Sequence, residues 1–160
     1  MAINFDDIKA KAKELYTEGA KKIKQYTPES FSKEKKFVNG LVISLALMTM
    51  ADEKAEIDEM LASLDILKDI QEIQDLDMTQ DAIELYELHL ETLTNVIGNT
   101  AKWTIAVAKL LGELAKVKEY PEYATMIENL LSYLAEVDGN VAKEEVEMQD
   151  KILSAIGKRA

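Results

Sequence analysis

The chain contains no cysteine, which removes disulfides, thiolate nucleophiles and zinc–thiolate sites from consideration. Helix breakers are scarce, with 2 prolines and 6 glycines in 160 residues. Positive charge is also short: 19 Lys+Arg stand against 30 Asp+Glu, a formal net charge of -11. Unaided binding to nucleic-acid phosphates or anionic lipid is therefore not expected. Long apolar runs are missing. The longest, Val38 to Ala51, is interrupted by Asn39 and Ser44 and is too short to span a bilayer. No N-terminal apolar segment resembles a signal peptide, so a cytoplasmic protein without direct membrane insertion is expected. There is no glycine-rich phosphate loop, nucleophile elbow or His-Glu-x-x-His motif, and nothing marks a catalytic constellation.

What is present favours helix. Alanine, leucine, lysine, glutamate and methionine dominate, and all are good helix formers. The length suggests one domain, residues 1–160, large enough for a substantial core. The charge is uneven. Residues 1–36 hold nine lysines and six acids, and the remainder holds ten basic and twenty-four acidic residues. Phe5, Ile8, Ala12, Leu15, Gly19 and Ile23 recur at helical spacing among these lysines, which predicts a basic amphipathic helix within residues 1–30, ahead of a core from 31 to 160. Pro28 breaks the pattern, and Ser30 or Ser32 is expected to cap the next helix. That helix, apolar almost all round after Phe37 and ending near Ala51, should be the buried centre.

Further helices are expected from Glu56 to Asp69, through Ile83–Ile97 after a cap at Asp77 or Thr79, and from Trp103 to Leu114. Two more follow, one from Pro121 to the 138 corner and one through Val146–Ile156. Gly98-Asn99-Thr100 should end one helix and cap the next, and Gly157 should stop the last. The expected fold is all-α: about seven helices in a compact bundle.

The most informative feature is an acidic helix–corner–helix that occurs twice. Asp52 and Glu59 flank the first corner, with Glu56 between them. Asp138 and Glu145 flank the second, with Asn140 and Glu144 between. Each aspartate stands where an apolar helix stops, and each glutamate follows seven residues later at the start of the next helix. Sliding residues 37–67 by 86 positions superposes the two corners. It also matches Phe37 to Tyr123, Leu45 to Leu131 and Ile66-Leu67 to Ile152-Leu153, with 5 identities in 31 positions. Two pseudo-symmetric hairpins are the expectation.

Clustered carboxylate oxygens suit hard cations. Asp138, Asn140, Glu144 and Glu145 are the candidate ligands of the second corner, and Asp52, Glu56 and Glu59 those of the first. If the halves pack about a twofold axis, Asp52, Glu56, Asp138 and Glu145 can converge. The loop is not an EF-hand, since its last glutamate comes at position eight rather than twelve. An oxygen-only ligand set predicts Ca²⁺ or Mn²⁺ over Zn²⁺. The alternative is that the acids merely favour helix N-termini, at roughly 0.3–1 kcal/mol each. His89, the single histidine, reads as an exposed residue rather than a ligand. Trp103 and the methionines read as core filling.

The Phe5-Asp6-Asp7-Ile8-Lys9 opening, the Lys35-Lys36-Phe37-Val38-Asn39-Gly40 start of the apolar helix and the Val137-Asp138-Gly139-Asn140…Glu144-Glu145 corner resemble the TerB tellurite-resistance family, from about Phe5 to Gly157. The resemblance implies an all-helical domain with pseudo-twofold halves and an acidic metal-binding face. It also implies a non-enzymatic role in stress response, through metal sensing or assembly with membrane-associated partners at the inner face of the membrane. The first corner departs from the family pattern, with Glu53-Lys54 in place of the glycine turn. A metal-independent helical adaptor and a carboxylate-metal hydrolase are the other readings.

Overall fold

A computed structural model describes residues 28–54, 56–138 and 142–159, with side chains from Glu34 onward except those of 136–138. The expected basic helix within residues 1–30 lies almost wholly outside this range. Among the described residues there are seven α-helices, one 3-10 segment and no strand, as the composition predicted. They are α1 (Pro28–Thr49), α2 (Ile57–Asp69), α3 (Gln71–Asp75), α4 (Thr79–Thr94) and α5 (Thr100–Leu114), then the 3-10 segment Ala115–Glu119, α6 (Pro121–Asp138) and α7 (Lys143–Ala155). No described helix is long and apolar enough to cross a membrane.

Helix α1 is the axle of the bundle. It packs against α2, α4, α5, α6, α7 and the 3-10 segment, and from Phe37 to Leu47 only Asn39 keeps partial exposure. A helix apolar on every side has no stable place except inside, and each fully buried large side chain contributes roughly 1.5–3 kcal/mol. Its few polar groups are satisfied locally: Ser44 Oγ donates to the Gly40 carbonyl at 2.8 Å. Gly40 also sets how closely α6 can lean in. A Cβ there would stand 3.2 Å from Ile127 Cδ1 and 3.3 Å from Val117 Cγ1.

The helix ends show which local signals were read correctly. Pro121 opens α6, and Asn99 caps α5 by accepting from the Lys102 amide at 3.1 Å. Gly157 has φ 81°, and it places the Lys158 amide on the Leu153 carbonyl (2.8 Å) and its own amide on Ser154 (3.2 Å). This is the paired closure that a left-handed C-terminal residue permits.

Three local expectations are corrected. The first helix already runs from Pro28, so Ser30 and Ser32 lie inside it rather than at a cap; proline's preset φ makes it a good first residue. Neither Asp77 nor Thr79 caps α4, whose N-terminal flank is Met78 with no side-chain bond. Asp77 has φ 56° and instead closes α3, sending its amide to Gln74 (3.0 Å) and that of Met78 to Ile73 (3.1 Å). Its role is the one glycine plays at 157. Last, His89 is half-buried rather than exposed, and its Nε2 lies 2.9 Å from Asn39 Oδ1 on α1. Burial pushes its pKa below 6.5, against the opposing pull of Glu113.

Two predictions follow from these geometries. Glu53, at the first corner, holds φ 56°, a left-handed conformation that costs an L-residue roughly 1–2 kcal/mol. Glu53→Gly removes that strain and loosens the unfolded chain, so a net gain of about 0.5–1 kcal/mol is expected in urea denaturation. A loss of stability would show that the Glu53 side chain contributes more than its backbone costs. The second prediction concerns pH. Because folding depresses the His89 pKa, the unfolded chain binds more protons below about pH 6.5, and this contribution to stability is lost as pH falls through that value toward the folded pKa. His89→Gln should therefore lose less stability than the parent between about pH 7.5 and about pH 5.5. Equal losses would mean that His89 titrates normally.

Candidate functional site

One pocket of about 200 Å³ lies at the end of the bundle, and Glu59 and Glu145, each in the first turn of the helix after an acidic corner, are among its lining. The C-terminal end of α1 and one face of α2 form one side, and the end of α6 and the start of α7 form the other. Four pairs of its lining residues are 86 positions apart: Met48 with Leu134, Thr49 with Ala135, Glu59 with Glu145, and Ser63 with Gln149. Another matched pair, Phe37 and Tyr123, stacks ring on ring elsewhere in the core, with centroids 4.3 Å apart.

The floor is a hydroxyl network. Thr49 Oγ1 donates to the Leu45 carbonyl at 2.7 Å and stands 2.9 Å from Tyr86 OH and 3.2 Å from Ser63 Oγ. A hydroxyl has one proton. With that proton committed to Leu45, Thr49 must accept from both Tyr86 and Ser63. Tyr86 is fully buried, and burial raises its pKa to about 12. It therefore remains a neutral donor. Thr49 and Ser63 are 6% exposed, so the network is almost wholly buried where it forms the pocket's floor.

The predicted ligands are divided by the structure. Glu59 and Glu145 both line the pocket. Asp52, Glu56 and Glu144 do not. Asp52 turns back on its own loop, its Oδ1 accepting from the Lys54 amide at 3.0 Å. Glu56 precedes α2 with extended backbone and makes no side-chain cap bond. Glu144 is exposed in the first turn of α7. Asn140 and the side chain of Asp138 lie outside the described residues. Among the described residues no three acidic, histidine or cysteine side chains are grouped to hold a metal ion.

Sequence reading missed Thr49, Ser63, Tyr86 and Gln149. Thr49 carried a signal, as a hydroxyl in the last turn of an otherwise apolar helix. Tyr86 and Ser63 carry no such signal, because nothing in their local sequence tells which helix they will meet. Comparison of the chain with known protein families, curated proteins and solved structures finds no match.

The network yields a direct test. Thr49→Val removes the shared acceptor and leaves the Tyr86 and Ser63 hydroxyls unsatisfied, at roughly 1–3 kcal/mol for each buried group. Tyr86→Phe removes one donor and leaves Thr49 still served by Ser63. Denaturation midpoints should therefore fall further for Thr49→Val than for Tyr86→Phe, and the reverse order would remove Thr49 from the centre of the network.

Proposed function

We propose that this chain is a non-enzymatic protein of the tellurite-resistance type that binds a divalent cation between its two acidic corners. The observation that carries the reading is that Glu59 and Glu145, equivalent under the 86-residue shift, line the same pocket. Two helix-cap acids chosen only for the macrodipole have no reason to face one cavity.

The pocket's matched pairs support an internal duplication. Near a twofold axis each residue approaches its own counterpart; the stacking of Phe37 on Tyr123 has that form, and the four pocket pairs share one lining. The correspondence weakens along the second helices. Met60 and Leu64 are buried in α2, whereas their counterparts in α7 are Val146, which is 44% exposed, and Asp150, which is half-buried. The cause is packing: α2 lies on α4 and α7 lies on α5, so the two helices turn different faces inward.

Two carboxylates are few for a hard cation that takes six to eight oxygens. The proposal therefore counts Asp138 and Asn140, adjacent in sequence to the α7 acids, as further ligands, with Ser63 Oγ and the Gln149 amide available from the lining. Oxygen donors alone favour Ca²⁺ or Mn²⁺ over Zn²⁺. A chain without thiols lacks the obvious protein source of electrons for reducing a tellurium oxyanion, and its charge of -11 opposes anion capture. Any part in resistance is accordingly indirect, through metal sensing or assembly with membrane-associated partners.

Calorimetric titration of chelator-treated protein with Ca²⁺, Mg²⁺, Mn²⁺ and Zn²⁺ is the test. Binding should raise stability by about 2.7 kcal/mol at a hundredfold excess over Kd, and combining Asp138→Asn with Glu145→Gln should abolish most of that gain. A melting temperature indifferent to millimolar Ca²⁺ and Mn²⁺ would leave the metal-independent adaptor as the better reading.

A further inference from the structure

We propose that the outer face of α5 is a docking surface for a second copy of this chain, the two α5 helices packing antiparallel about a twofold axis. The inference is independent of the cation reading, because no α5 residue lines the pocket.

The face departs from what a surface helix normally shows. Ala106, Val107, Leu110 and Leu114 seat α5 on the core. At 3.6 residues per turn, Ala101, Ile105, Ala108 and Gly112 fall within about 60° of one another on the opposite side. All four are exposed, Ile105 at 55%. An amphipathic helix carries its charges there, as α4 does with exposed Glu84 and Glu91 and α7 with exposed Glu144 and Glu147. The centre of this face is uncharged, and it lies in the longest acid-free stretch of the chain, residues 92–112.

Gly112 supplies a second observation. A Cβ built there meets nothing within 4 Å. Nothing in the fold of one copy calls for a glycine, although glycine weakens a helix relative to alanine. It leaves an open notch that the side chain of a neighbouring helix can enter.

Charge then sets the register. Lys102 and Glu113 lie about 20° apart on one flank of the stripe. Turning one α5 end over end onto another keeps each flank on its own side, so this flank meets its own equivalent. Lys102 can then stand level with the partner's Glu113 at both ends. In that register Ile105 stands midway between the partner's Ala108 and the partner's Gly112, and the reverse holds across the axis. Each large side chain enters the gap left by small ones in the other copy, an isologous contact. Packing and charge thus select one register independently. Glu113 already touches Lys116 of its own chain at 2.8 Å, and a carboxylate with about four lone-pair sites takes a second cation beside it. Lys102 is in no ion pair among the described residues. Against these gains, the two Lys109 side chains approach each other near the axis. A single helix pair also buries less than the roughly 1,200 Å² of stable interfaces, so the dimer is weak.

Sedimentation equilibrium of chelator-treated full-length protein from about 5 to about 500 µM is the test. The mass should rise from 18.0 kDa toward twice that value, with a Kd on the order of 100 µM. Gly112→Leu and Ile105→Lys should each abolish the rise without changing the circular dichroism spectrum, since both positions open to solvent. Glu113→Lys should weaken the dimer about tenfold, and adding Lys102→Glu to the same chain should restore it. Because the chain has no cysteine, single cysteines report the register. Ala108→Cys sits beside its equivalent at the axis and should give a disulfide-linked dimer on oxidation. Ala101→Cys, about 20 Å from its equivalent at 1.5 Å per residue, should not. The proposal is overturned if the chain stays monomeric at about 500 µM, if Gly112→Leu or Ile105→Lys dimerises like the parent, if Lys102→Glu fails to rescue Glu113→Lys, or if Ala108→Cys does not cross-link ahead of Ala101→Cys. With metal absent throughout, failure of Ca²⁺ or Mn²⁺ binding in the separate titration would leave this result unchanged.

Discussion

The constraint on which the structure depends is the burial of α1. A 22-residue helix whose middle is apolar on every side must be enclosed, and five other helices do this. The chain is long enough to wrap one helix completely, and once wrapped, the C-terminal end of α1 is where the surrounding helices must be sealed. Thr49 performs that closure. It bonds back into its own helix at Leu45 and across to Ser63 on α2 and Tyr86 on α4. One hydroxyl thus ties three helices at the base of the cavity that Glu59 and Glu145 line.

Helix existence and the identity of the central helix were legible because they follow from composition and periodicity, which are local. Phe37 through Leu47 could be placed inside with no knowledge of the neighbours. Asn99, Pro121 and Gly157 were equally legible, each acting through its own backbone or side chain, whereas α4 ends at Thr94, short of the Gly98 stop that was expected. Asp77 was misread because an aspartate before a helix can cap it or can close the previous helix in a left-handed conformation. The choice depends on α3, a helix of five residues too short to leave a periodic signal. His89 was misread for a different reason: its polar partner, Asn39, lies fifty residues away on the buried helix.

The candidate site was half legible. The repeated Asp…Glu spacing pointed to Glu59 and Glu145, and these are the two that line the pocket. Asp52 was chosen with equal reason, yet its carboxylate holds its own turn through the Lys54 amide. The same turn shows how a corner without glycine is kept, with Glu53 taking the left-handed conformation at the position that Gly139 occupies in the second copy. The apolar cavity was not legible, because it arises from how four helices diverge at one end of the bundle.

The central claim is that Glu59 and Glu145 act together on a cation. Paramagnetic broadening of amide signals by substoichiometric Mn²⁺ tests it most directly, because the effect falls steeply with distance and reports position as well as binding. The account predicts that the signals of Glu59, Ser63, Glu145 and Gln149 broaden first and together, on both hairpins. Broadening spread evenly over exposed acids such as Asp65, Glu72 and Asp75, with the pocket signals unaffected, would contradict it.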